Sequence, residues 1–309
     1  MSEPLAVRPM HPFHRTELLV GAEGMDRLSA ARACVIGLGG VGGYVVEALA
    51  RSGIGHLTLV DFDVVCITNV NRQIHASRKT VRKSKAQLAA ERCADIHPKG
   101  TYVPLDRFYD AETSEEILGP GFDLVFDCID NMTAKVHLLE TCVRKGLPVF
   151  SAMGAGGRTD PTRIRVSDLS ETRGDPFARI VRDLLRQRGI ESGVRCVWSD
   201  EAPNDLDEAA EASFRCICPD KDLKSRHSCE QRHQVQGTVA WMPAISGLTL
   251  AAAGVHHLLG RPELADRVTQ AERAKSRRLG PSSKPSRAKK KQLAAAVAPG
   301  SAEETPQAR

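Results

Sequence analysis

The sequence predicts an α/β fold of the Rossmann-like type: a doubly wound, mostly parallel sheet, continued by a mixed sheet after residue 148 and carrying a long crossover loop. Three observations predict it. The short apolar runs Ala33-Cys34-Val35-Ile36, His56 to Val60 and Phe122 to Phe126 read as buried parallel strands. A glycine-rich turn follows the first of them, with Gly37, Gly39 and Gly42 in G-x-G-x-x-G spacing. Aspartates end the other two, Asp61 after Val60 and Asp127 after Phe126, where open α/β sheets gather their ligand-binding groups.

Each element has a physical reason. Glycines after the first strand allow a tight turn, and the helix read from Val41 to Ser52 then points backbone N–H groups at an anion. Asp61 falls about 20 residues beyond the last glycine, the spacing of a ribose-binding carboxylate. A purely structural strand–helix turn, an NAD site and an ATP site all satisfy this half of the pattern.

The next segment separates them. Asn69, Asn71, Arg72 and Gln73 follow in TNVNRQI, and Lys85 opens the next helix. A nicotinamide site has no need of these cations. Attack at the α-phosphate of ATP does, because charge builds on the bridging and leaving oxygens. Taken alone, Arg72 reads equally as a surface arginine, and Lys85 as one more solvated lysine of Arg82-Lys83-Ser84-Lys85; their joint placement around one crevice favours the clamp. The third strand runs into Asp127-Cys128-Ile129-Asp130-Asn131, a carboxylate pair of which one member can hold Mg²⁺ through oxygen. At least one of the pair is expected to cap the helix that starts near Asn131.

Downstream, Trp241 to Leu259 is apolar but contains Pro243, Ser246, Gly247, Thr249, His256 and His257, which suits a closely packed core helix rather than a membrane span. The gap from Val197 to Trp241 is long for a plain connection, so roughly 200–236 is expected to be a functional crossover loop over the active site. It contains Cys216, Cys218, His227 and Cys229, a donor set for Zn²⁺ whose Cys-x-Cys spacing is tighter than usual. Ordinary loop cysteines are the favoured reading there, with metal binding and redox chemistry open. Cys196 reads as a buried strand cysteine ahead of a nucleophile. Nine cysteines, an odd number, suit a reducing cytosol, and no secretory n-region or h-region opens the chain; a cytoplasmic protein is expected.

At 309 residues with 41 % hydrophobic content, one large core is expected over residues 1–265. Residues 266–309 read as a basic disordered tail: 267–291 hold ten Lys and Arg against Glu272 alone. That stretch is formally +9, which leaves the rest of the chain at about −4 out of a total of +5. Such a tail attracts phosphate backbones without reading sequence; a solubilising extension fits as well.

Together, GLGGVGG, LTLVDFD, TNVNRQI, Lys85 and DCIDN resemble the ThiF/MoeB superfamily, relatives of the adenylation domain of ubiquitin-activating enzymes. RTELLVGAEGMDRL (15–28), NRQIHA (71–76) and GAGGRTDPTRIRVSDLSETRGDPFARIVRDLLR (154–186) are similar to its tRNA-acting branch, the tRNA threonylcarbamoyladenosine dehydratases, over roughly residues 13–260. The resemblance implies that Gly37, Gly39, Gly40 and Gly42 carry the ATP phosphates and that Asp61 binds the ribose, with Asp63 close by. It implies phosphate contacts from Asn69, Arg72 and Lys85, with Gln73 beside them in the nucleotide site. Asp130 is the implied Mg²⁺ carboxylate, and Arg15 the arginine that a homodimer lends to its partner's site. One departure is Gly43, where many relatives carry serine.

The implied reaction adenylates the carboxylate of threonylcarbamoyladenosine beside the anticodon. A nitrogen of the same carbamoyl group then closes the ring, releasing AMP and pyrophosphate. tRNA is the implied partner, with a cysteine desulfurase or sulfur-acceptor system as a further possibility. Two other readings stay open. One is an adenylyltransferase for the C-terminal Gly-Gly of a ubiquitin-like sulfur carrier, against which the 154–186 similarity and the lack of two Cys-x-x-Cys pairs count. The other is a non-catalytic nucleotide-binding or NAD-sensing module, which has no use for a complete phosphate clamp.

Overall fold

The computed structural model describes residues 10–205, 207 and 237–261. All belong to the larger of two units, Met1–Val268; the other, Thr269–Arg309, and the whole predicted tail 266–309 lie outside the described residues.

Among the described residues seven strands form one sheet: β1 Arg32–Ile36, β2 His56–Val60, β3 Thr101–Leu105, β4 Leu124–Asp127, β5 Val149–Ala152, β6 Ile164–Asp168 and β7 Val194–Ser199. Their order is β3-β2-β1-β4-β5-β7-β6, and every neighbouring pair is parallel except β6 with β7. The mixed part expected after residue 148 is therefore the far edge of the same sheet. Chain direction across the sheet reverses between β1 and β4, so the ends of these two strands flank a crevice.

The core follows strand periodicity. Ala33 and Val35 of β1 face one layer with Leu28, Val45, Leu49 and Leu250, while Cys34 and Ile36 face the other with Leu138, Leu139, Val181 and Leu185. Burial on both faces is why β1 reads as an unbroken apolar run. Among the described residues the helices are α1 His14–Ala30, α2 Gly42–Arg51, α3 Lys85–Ile96, α4 Ser114–Leu118, α5 Met132–Lys145, α6 Pro176–Arg186 and α7 Trp241–Leu258. The apolar α7 is a core helix, as its small residues suggest. A Cβ on Gly254 would run into the ring of Phe126, so glycine there sets how closely α7 approaches β4. No helix among the described residues is long and apolar enough to cross a membrane.

One expectation at α5 is corrected. Neither Asp127 nor Asp130 caps it; Asn131 does, its side chain accepting from Ala134 N at 3.0 Å. The cap must directly precede the first helical residue, and that position belongs to Asn131.

Candidate active site at the carboxyl ends of β1, β2 and β4

The glycine turn leaves β1 at Gly37, whose φ of 89° is left-handed. A Cβ there would stand 2.7 Å from the Cys128 carbonyl oxygen, and one on Gly42 would overlap the Gly37 carbonyl. Glycine at these positions lets the turn fold back on itself and lie against the β4–α5 connection. Gly42 then opens α2, so Gly39 and Gly40 precede a helix N-terminus that presents backbone N–H groups and positive dipole to an anion.

Asp61, at the end of β2, is buried and pins this turn: one carboxylate oxygen accepts from Leu38 N at 2.6 Å and the other from Asp63 N at 2.8 Å. Burial raises its pKa; Lys85 opposes that shift, and Asp63 adds to it. Lys85 is the first residue of α3, which Ser84 caps by accepting from Gln87 N. It is buried, and its Nζ donates to Asp63 Oδ2 at 2.9 Å. Asp61, Asp63 and Lys85 thus form one group beside the glycine turn.

Asn69 ends a short 3₁₀ turn, where its Oδ1 accepts from Cys66 N at 2.9 Å. Its side-chain amide nitrogen is thereby the end that can donate to a ligand. Arg72 Nη1 donates to Thr68 O at 2.8 Å and to Asn71 Oδ1 at 2.9 Å. Gln73 is buried with its amide nitrogen 3.8 Å from where a Cβ on Gly39 would stand, and its Oε1 has no partner among the described residues.

Asp127 and Asp130 separate completely. Asp127 is fully buried: Lys135 Nζ and Ser151 Oγ each donate to its Oδ2 at 2.6 Å, and Ile129 N donates to Oδ1 at 3.1 Å. Lys135, also fully buried, donates further to Ala152 O at 3.0 Å. The carboxylate pair is thereby narrowed as a cation site, because Asp127 is already neutralised by a lysine. Asp130 is exposed and makes no ion pair among the described residues.

Arg15 stands exposed on the first turn of α1 and makes no hydrogen bond to the site residues within its own chain. The Cys216, Cys218, His227 and Cys229 cluster lies outside the described residues, as does nearly all of the crossover loop; among the described residues no cluster of His, Cys, Asp and Glu is arranged to hold a metal ion. Cys196 is buried on β7, and burial, followed by Asp168 and Asp175, pushes its thiol well up, a setting that disfavours the thiolate.

Sequence reasoning missed Lys135 and His75. Lys135 looks like any helical lysine, and nothing local marks its reach to Asp127. His75 is buried behind the glycine turn, its Nδ1 3.4 Å from where a Cβ on Gly43 would stand. Both its ring nitrogens lack partners among the described residues, and burial, then Lys85 and Arg92, lowers its pKa to about 4. A side chain at Gly43 would also come within 3.1 Å of Ile74, so this chain's glycine fits a crowded position.

Known proteins are similar to this chain in sequence and fold. A family model described as the ThiF family matches residues 13–294. The tRNA threonylcarbamoyladenosine dehydratase of Bacillus subtilis is 46 % identical over 250 residues, covering 81 % of this chain and 95 % of the relative. The crystal structure of the E. coli tRNA N6-threonylcarbamoyladenosine dehydratase in complex with AMP is 32 % identical, with a TM-score of 0.70, over 81 % of this chain and 95 % of that one. The structure of the same E. coli protein in complex with ATP gives a TM-score of 0.66 at 32 % identity, over 84 % and 96 %. With the family pattern covering most of its length and its strand order and glycine turn in place, the chain belongs to the ThiF family, in the branch of the tRNA threonylcarbamoyladenosine dehydratases.

Proposed function

We propose that this protein is an ATP-dependent tRNA threonylcarbamoyladenosine dehydratase. The observation that carries the reading is 46 % identity to a dehydratase along nearly all of that relative's length, joined to a nucleotide crevice whose glycine turn, Asp61 and Lys85 are packed into one group. The sulfur-carrier alternative is disfavoured because a molybdopterin-synthase adenylyltransferase of Salmonella typhimurium matches less well, at 35 % identity over 195 residues.

The crevice fits ATP. Gly37 and Gly42 let the turn close on itself, Gly39 and Gly40 bring backbone N–H groups to the phosphates at a helix N-terminus, Asp61 takes the ribose hydroxyls with Asp63 close by, and Arg72 and Lys85 supply positive charge. Asn69 and Gln73 offer amide donors beside them. Lys85 reaches a phosphate by exchanging its Asp63 contact, which is possible because Asp63 is partly exposed while Asp127 is sealed. Mg²⁺ suits Asp130, an exposed carboxylate without a lysine partner among the described residues, and when bound it neutralises charge on the phosphates.

The chemistry asked of the chain is positioning and charge stabilisation. AMP is transferred to the carboxylate of the modified nucleoside with release of pyrophosphate. A nitrogen of the same carbamoyl group then attacks the activated carbon and AMP leaves, for a net loss of one water. Ring closure is intramolecular, so proximity provides the rate and no protein thiol or sulfur relay is required. A homodimer completes the site through Arg15. Met10, Leu18 and Leu19, which are 85 %, 73 % and 80 % exposed around it, support burial against a second copy. A tRNA substrate supports a cytoplasmic location.

The test is pyrophosphate release from ATP and Mg²⁺ with tRNA carrying threonylcarbamoyladenosine and with tRNA lacking it, followed by nucleoside mass analysis. Release only with the modified tRNA, with loss of one water from that nucleoside, is the expected result. Release only with a Gly-Gly-tailed carrier protein would move the assignment to the sulfur-carrier branch.

A further inference from the structure

Both flanks of the segment between Glu201 and Trp241 are fastened to one residue. Asn204 N donates to the Gly157 carbonyl at 2.6 Å, Asn204 Nδ2 donates to the same oxygen at 2.9 Å, and Gly157 N donates to Gly237 O at 2.8 Å. Gly157 has a φ of 71°, and a Cβ there would stand 3.1 Å from Pro203, so the clasp requires glycine. It rests on a firm base. The buried Glu201 carboxylate accepts from Thr159 N at 3.0 Å and Asp160 N at 2.9 Å, and Trp241 Nε1 donates to Thr159 O at 2.8 Å.

The returning limb continues from Gly237 to Thr238, and there it meets the phosphate-binding segment. Asn71 Nδ2 donates to Thr238 O at 3.0 Å, while Asn71 Oδ1 accepts from Arg72 Nη1 at 2.9 Å. A side-chain amide has one donating end and one accepting end. With the donating end held by a carbonyl, the accepting end is directed at the guanidinium. The chain of contacts Gly157–Gly237–Thr238–Asn71–Arg72 is continuous.

We propose that Asn71 is a positioning residue that links the Gly157 clasp to Arg72, so that the orientation of the phosphate-binding arginine depends on the seating of the Gly237–Thr238 limb. The link rests on the reading of Arg72 as a phosphate ligand. Asn71 is exposed, so its truncation removes these two hydrogen bonds without opening a cavity in the core.

ATP affinity in Mg²⁺, measured by calorimetry without RNA, tests the link in wild type, Asn71→Ala, Arg72→Ala and the double variant, with thermal midpoints as the folding control. Asn71→Ala is expected to weaken ATP binding about tenfold, the scale of one hydrogen bond to a charged group. In the Arg72→Ala background the same change is expected to have an effect within about twofold, because no guanidinium remains to be oriented. Gly157→Ala is expected to weaken ATP binding only where Arg72 is present. Equal weakening by Asn71→Ala in both backgrounds, or none in either, overturns the proposal; an inert Gly157→Ala overturns its connection to the clasp. Equal affinity of Arg72→Ala and wild type removes the phosphate-ligand reading and the proposal with it. Failure of the dehydratase reading shows elsewhere, as absent pyrophosphate release with modified tRNA.

Discussion

Two aspartate–lysine pairs sit at the carboxyl edge of the sheet, and access to solvent separates them. Lys85 meets Asp63 at 2.9 Å with the aspartate side chain 36 % exposed; Lys135 meets Asp127 at 2.6 Å with both side chains at 0 %. The chemistry of the partners is the same. Their surroundings leave one pair open to solvent at its aspartate and make the other a closed strut between β4, α5 and β5. A buried lysine is therefore no indication of a nucleotide contact until the accessibility of its counter-charge is known.

The largest effect expected from breaking this comparison is on stability. Lys135→Met leaves the Asp127 charge buried without its cation and should cost about 3–5 kcal/mol in urea denaturation. A loss below about 1 kcal/mol would show that water reaches Asp127 and that the pair is not closed. At the open pair the loss should appear in turnover. Lys85→Ala is expected to lower pyrophosphate release about 100- to 1,000-fold, on the scale of removing one preorganised charge-stabilising donor. Asp130→Ala should lower turnover comparably while shifting stability by no more than about 0.5 kcal/mol, because Asp130 is an exposed residue. Unchanged activity in that variant would take Asp130 out of the Mg²⁺ role.

A smaller, pH-dependent effect sharpens the contrast from behind the glycine turn. The folded state holds His75 at a pKa of about 4, below its ordinary 6.5, so it resists protonating the ring. That contribution is present in full above pH 6.5 and is lost as pH falls toward 4. Its ceiling is about 3 kcal/mol. His75→Gln should flatten the decline of the thermal midpoint over that window. An unaltered decline would assign it instead to the carboxylates.

Much of this architecture is legible in the chain because local physics imposes it. The extent of β2 and the core character of α7 follow from apolar runs and small residues, and the turn at Gly37 and Gly42 from conformations that other residues cannot adopt. Legibility fades where one residue's role depends on a distant partner. Asn131 rather than an aspartate caps α5, and that turns on a single residue of register. Asp127 and Asp130 look interchangeable in DCIDN, yet one is sealed by Lys135 and Ser151 and the other stands in solvent.

By itself, then, the sequence determined the nucleotide-binding half of the sheet, the family and the group of residues around Gly37, Asp61, Arg72 and Lys85, since spacing along β-α-β units carries that information. Only the tertiary structure decided which carboxylate is open, what Lys135 neutralises, that His75 is buried without a partner among the described residues, and that Asn71 joins Thr238 to Arg72. Burial and hydrogen bonding across 167 positions of chain depend on which elements pack together, and no local pattern encodes them.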